Sequence, residues 1–173
     1  TVDSFGHVTA VGPAGRTEIV VRSGSLLATV PVRVDPGPPA ELQPVSGDAQ
    51  RVTAGTPARE PWVVRLRDAD GNPIAGVALQ LRVDAQQDSA QAITDQDGEA
   101  HWMPELPTAA GEVRMVVEPA EQGTEQALTL RLSAQIVPAP IATLDVDAAA
   151  TTAADARPAG WRGSVVALDR FGN

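Results

Sequence analysis

This sequence predicts an all-β protein made of β-sandwich modules in tandem, and three observations predict it. Apolar residues recur at every second position over many short stretches, the pattern of strands with one buried face. Turn-forming clusters interrupt those stretches at short intervals: Gly12-Pro13-Ala14-Gly15, Asp70-Gly71-Asn72-Pro73, Asp97-Gly98 and Ala109-Ala110-Gly111. Finally, one phrase occurs twice. Val64-Arg65-Leu66-Arg67-Asp68-Ala69-Asp70-Gly71-Asn72 returns as Val165-Val166-Ala167-Leu168-Asp169-Arg170-Phe171-Gly172-Asn173, with the paired glycines 101 residues apart. A period of about 100 residues suits one sandwich per repeat.

Taken in order, Val30, Val32 and Val34 alternate with Thr29, Pro31 and Arg33. The stretch Asp35-Pro36-Gly37-Pro38-Pro39 follows as a stiff hinge, since proline fixes φ and removes the N–H a ladder needs. Trp62, Val64 and Leu66 form one face of a strand, and Val77, Leu79, Leu81 and Val83 one face of another. Val113, Met115 and Val117 repeat the pattern, as do Leu128, Leu130 and Leu132 against Thr129, Arg131 and Ser133. Strands are expected over 40–45, 50–54, 62–68, 77–84, 90–94, 99–103, 112–118 and 127–136. Val137-Pro138-Ala139-Pro140 matches the first hinge. Ala148 to Ala154 has helical propensity, but it aligns with Ala49 to Thr56 and reads as strand and loop. The expected division is therefore a complete module over 36–140. Residues 1–35 would be the last strands of a preceding module, and residues 141–173 the first strands of a following one.

Composition narrows the function. With no Cys, neither a disulfide framework nor a thiolate metal site is available. No apolar run approaches the roughly 20 residues of a membrane span, and no signal peptide is present, so an export signal is expected upstream of this window. The net charge is −9. Residues 36–140 hold 15 Asp/Glu against 7 Arg, a net of −8, which a phosphate backbone would repel; nucleic acid is a poor partner. All 13 cations are Arg, as expected from codon bias in a GC-rich genome.

Little here can do catalysis. The chain has two His, no Cys, no Lys and no Tyr, and neither His7 nor His101 sits in a motif. No nucleophile elbow occurs, and the carboxylate pairs lie two apart on hairpins, not across a cleft. Asp68, Asp70 and Asn72 have the alternate spacing by which a loop can offer oxygens to Ca²⁺, and Asp95 and Asp97 form a second pair. The calcium-loop signature is incomplete, however: Gly71 falls too early and no Glu follows at the required distance. Asp and Asn before Gly also do ordinary turn work, and that reading is preferred. No catalytic, cofactor-binding or metal-binding residue is assigned, with calcium at the acidic turns kept as a candidate cofactor. Leu144-Asp145-Val146 matches a short integrin-binding tripeptide, but it reads as a first strand with Leu144 and Val146 buried. Trp62 and Trp161 precede equivalent strands, which favours packing over sugar stacking.

Ser46-Gly47-Asp48-Ala49-Gln50, Pro61-Trp62-Val63-Val64 and Asp68 to Val77 resemble the front half of a bacterial immunoglobulin-like repeat of the invasin/intimin type. Thr94 to Ala100, with Ala110-Gly111, resembles the back half. Val2-Asp3-Ser4-Phe5-Gly6-His7-Val8-Thr9-Ala10-Val11 is similar to the end of a second family of bacterial immunoglobulin-like repeats. The lack of a Cys pair and of Tyr departs from antibody-type domains. The resemblance implies a non-catalytic spacer in an extracellular or cell-surface bacterial array. Its expected partners are neighbouring modules of the same chain and a host or cell-surface ligand. The alternatives are a module that binds carbohydrate or a host receptor through its loops, and an accessory domain of a secreted hydrolase.

Overall fold

A computed structural model of the chain describes residues 1–84, 89–121, 128–149 and 162–173. Every regular element among them is a strand, as period-two alternation requires. Two sheets face each other. One has three strands in the order β3 (Pro39–Ser46), β5 (Trp62–Asp68), β8 (Glu99–Trp102). The other has five in the order β4 (Gln50–Thr53), β10 (Leu130–Val137), β9 (Gly111–Pro119), β6 (Ala78–Val83), β7 (Ser89–Ile93). The strands fall close to the expected bounds.

The core lies between the two sheets and is built from the alternating positions. Trp62, Val64 and Leu66 of β5 are buried, as are Leu79, Leu81 and Val83 of β6. Val113, Met115 and Val117 of β9 and Leu132, Ala134 and Ile136 of β10 complete the inner face. Register makes them neighbours: Leu81 lies opposite Val117, and Met115 opposite both Val83 and Leu132. Burying each large aliphatic contributes about 1.5–3 kcal/mol. Leu128 and Leu130 are only partly buried against this cluster. Trp62 and Trp102 face each other across the β5–β8 ladder, both buried. Trp161 lies outside the described residues, as do 150–154 of the alanine-rich stretch; Ala148 and Ala149 are in a strand.

One pairing departs from an antiparallel sandwich: β4 runs parallel to β10, from Gln50↔Ala134 to Thr53↔Val137. The reason lies in the Gly47-Asp48-Ala49 corner, where Gly47 and Ala49 take positive φ. There the chain leaves the sheet of β3 for the edge of the other sheet instead of forming a hairpin. Asp48 secures the corner by accepting the Ser133 N–H at 2.9 Å.

Two hairpins flank the sandwich in sequence: β1 (Gly15–Ser23) with β2 (Leu26–Val34), and β11 (Ile141–Ala149) with β12 (Arg162–Asp169). Each forms a two-stranded sheet of its own. Among the described residues no second sheet pairs with or covers them, so Val20, Leu26, Leu27, Val165 and Val166 are exposed. This corrects the expectation for the tripeptide: Leu144 is 64% and Val146 51% exposed. Alternation alone does not bury a face; burial needs a facing sheet.

Candidate functional site

Four Asp residues organise turns of one design. In Asp68-Ala69-Asp70-Gly71-Asn72, Asp68 Oδ1 accepts the N–H groups of Asp70 at 3.0 Å and Asn72 at 2.8 Å. The Asp68 carbonyl accepts the Gly71 N–H, and the Asp68 N–H donates to the Asn72 carbonyl. The carboxylate thus stands in for a backbone acceptor, which is why a short acidic side chain opens the turn. The fourth residue has φ of +81°, a conformation open to glycine at little cost. The same bonds recur in Asp169-Arg170-Phe171-Gly172-Asn173. They recur again in Asp95-Gln96-Asp97-Gly98-Glu99 and in Asp3-Ser4-Phe5-Gly6-His7.

The fifth residue separates the four. His7 Nδ1 lies 2.9 Å from Asp3 Oδ2, and both side chains are exposed. Glu99 turns to Arg65 and forms an ion pair. Asn72 and Asn173 instead donate Nδ2 to the second oxygen of their own Asp, at 2.8 and 2.9 Å. Their Oδ1 atoms face outward and accept N–H groups from far along the chain: Ala14 at 2.8 Å for Asn72, Ala110 at 2.7 Å for Asn173. Asp68 Oδ2 also accepts the Gly37 N–H at 2.8 Å, and Asp169 Oδ2 the Ala139 N–H at 2.7 Å.

Among the described residues, these turns hold most of the buried polar or charged side chains. The buried polar or charged residues among those described are Asp68, Asn72, Asp169 and Thr94. Thr94 has a local task, its Oγ1 accepting the Val77 N–H at 2.9 Å. The Asn72 amide holds the Asp68 carboxyl below the usual carboxylate range; partial desolvation opposes this, and the N–H groups of Gly37, Asn72 and Asp70 add to it. Burial pushes Asp169 upward. The side chain and N–H of Asn173, with the N–H groups of Ala139 and Phe171, outweigh it and hold Asp169 well below that range.

The candidate calcium donors lie on two of these turns. Asp68 already accepts N–H groups at both oxygens, while Asp70 and Asp97 are exposed. Asp95, Glu99 and His101 each bring one donor atom within 4.8 Å of the others. There, too, Asp95 Oδ1 caps its turn and Glu99 pairs with Arg65. His101 is exposed beside them, 3.8 Å from Glu99. Sequence reasoning missed Ala14, Gly37, Ala110 and Ala139, which act through backbone N–H and carry no side-chain signal. What could have revealed them is the second repeat: a Pro-x-Pro stretch lies 31 residues before Asp68 and 30 before Asp169, counted from its middle residue.

Residues 61–133 match the family model of the macroglobulin domain MG4. That stretch runs from the start of β5 into β10, across both sheets of the sandwich. The chain carries an immunoglobulin-like β-sandwich. The crystal structure of S-layer protein SbsC domains 4 and 5 is similar at 19% identity and a TM-score of 0.35, covering 79% of this chain. The chain spans 64% of the length of that structure. No curated protein matches it. Among the described residues, no helix is long and apolar enough to cross a membrane.

Proposed function

We propose that this immunoglobulin-like chain is a length of a bacterial cell-surface or secreted array of the invasin/intimin type. Its modules serve as non-catalytic spacers that hold a distal binding region away from the cell. The observation that carries this reading is the repetition itself: an Asp-x-x-Gly-Asn turn and a Pro-x-Pro stretch recur together about one sandwich apart, each pair joined by the same hydrogen bonds. Such repetition serves length and register, whereas a catalytic cleft needs convergent side chains at one place. Exchanging residues 36–140 within the parent protein for an unrelated sandwich of equal length tests it. Adhesion or display retained after exchange, but lost on outright deletion, supports a spacer. Adhesion lost on exchange, or the isolated fragment binding a glycan array or host cells, would favour the ligand-binding alternative.

A further inference from the structure

We propose that the Asp-x-x-Gly-Asn turn is a docking site whose partner is the preceding module of the same chain, and that its two copies hold successive modules in one repeated orientation. The inference rests on the tandem reading above, but its evidence is the geometry of the bonds.

The linker comes first. Between Pro36 and Pro39 three of four residues lack an N–H, leaving Gly37 as the sole backbone donor. Ala139 is likewise the sole donor of Pro138-Ala139-Pro140. In both places that one N–H goes to the outer oxygen of the Asp that ends a strand downstream. A linker stiffened by proline and then held at its only donor has little freedom left to bend.

The second anchor lies farther back. Ala14 stands just before Gly15, the first residue of β1, and Ala110 just before Gly111, the first of β9. The two glycines have matching φ, +153° and +147°. Each opens a hairpin, β1–β2 or β9–β10, and each hairpin runs directly into the Pro-x-Pro linker. The Asn therefore grips the same point of the preceding unit both times. Asn173 Nδ2 adds a bond to the Thr108 carbonyl at 2.9 Å.

Asn suits this position because its amide does two jobs at once. Nδ2 donates to the Asp of its own turn, which fixes the plane of the amide and leaves Oδ1 aimed outward as an acceptor. The other two turns serve as internal controls. With His7 or Glu99 in the fifth place, the local bonds form just as well. The Gly98 carbonyl accepts the Leu66 N–H of β5, but among the described residues no side chain of either turn accepts a backbone N–H from another element. Asp and Gly suffice for the turn, and Asn makes it a docking site. Such bonds are directional, and breaking one leaves a buried polar group unpaired, so the polar contact defines an angle in a way apolar contact does not.

The chain has no Cys, so two introduced cysteines are unique labelling sites. Spin labels at Ser25→Cys, in the β1–β2 turn, and Gln135→Cys, exposed on β10, allow the distance between the two units to be measured by pulsed electron resonance. The expected result is one narrow distribution that broadens roughly twofold in Asn72→Ala and in Ala14→Pro, with far-UV circular dichroism unchanged. Ala14→Pro deletes the N–H that Asn72 Oδ1 accepts and leaves both the turn and the linker untouched, so it decides the matter alone if Asn72→Ala unfolds the sandwich. A broad distribution in the unaltered chain, or a width unmoved by Ala14→Pro, overturns the proposal. Neither result depends on whether the chain binds a ligand, so failure here is distinguishable from failure of the spacer reading.

Discussion

The turn at Asp68–Asn72 and the turn at Asp169–Asn173 share their polar bonds and differ in what surrounds them. At the first, Ala69 and Asp70 point into solvent. At the second, the corresponding residues are Arg170 and Phe171. The Arg170 guanidinium lies over the Phe171 ring, 4.7 Å from its centre, and Arg170 Nη2 is 3.4 Å from the Gly55 carbonyl. Phe171 sits so close to Gly55 that a Cβ there would meet its ring at 2.2 Å. The difference teaches which part sets geometry and which part adds strength. Bonds from Ala, from the linker and within the turn are kept in both copies, while side-chain packing is present in one. Orientation belongs to the shared set.

The largest expected effect falls on the scaffold beneath both turns. Leu81→Ala should cost about 2–5 kcal/mol in urea melts, because it empties a fully buried site facing Val117; a loss of a few tenths would remove Leu81 from the common core. Next comes Gly71→Val. No atom lies within 4 Å of a Cβ there, so its cost is the positive φ alone, about 1–2 kcal/mol. The same change at Gly98 should lower the melting temperature further, since a Cβ would also meet the Leu66 carbonyl oxygen at 2.6 Å. Equal losses at the two glycines would break the distinction between an open and a crowded turn. Phe171→Ala, at about 1 kcal/mol or less for a partly exposed ring, should lower the melting temperature slightly and leave label distances across the second junction unchanged; widened distances would give packing a share in orientation.

Acid offers a finer comparison. Both Asp carboxyls are depressed in the folded chain, so their contribution is complete above the unfolded value of about 4 and is lost as pH falls through the folded values. The depression is larger at Asp169, so order across the second junction should persist to lower pH than across the first. Label distances recorded between pH 6 and 2 check this, and simultaneous loss would contradict it. The smallest effect is expected for Gly37→Ala, within about 0.5 kcal/mol. Its Cβ would meet Asp68 Oδ2 at an ordinary 3.5 Å, and Ala139 already occupies the matching place.

The sandwich was legible because its information is local. Leu79, Leu81 and Val83 declare a buried face by spacing alone, and Asp97-Gly98 declares a turn by chemistry alone. What escaped depends on parts that meet across the chain. Burial of Leu144 and Val146 requires a sheet that their own spacing says nothing about. The parallel run of β4 beside β10 follows from a corner at Gly47–Ala49, not from the strands. Proline in the linkers announced stiffness, yet nothing in Pro36-Gly37-Pro38 says that its lone N–H finds a carboxylate 31 residues on. The acidic turns drew notice as candidate calcium ligands; their spacing did not announce that the oxygens of Asp68, Asp95 and Asn72 accept backbone N–H groups.

The place of Asp68 within its sheet has a mechanical outcome. It ends β5, the middle strand of three, while the linker itself leads into β3 at the sheet's edge. Traction along the chain would otherwise unzip that outer strand one bond at a time from its end. With Gly37 tied sideways to Asp68, part of any pull enters the better-supported inner strand, and the sheet resists as a plate instead of fraying like a hem.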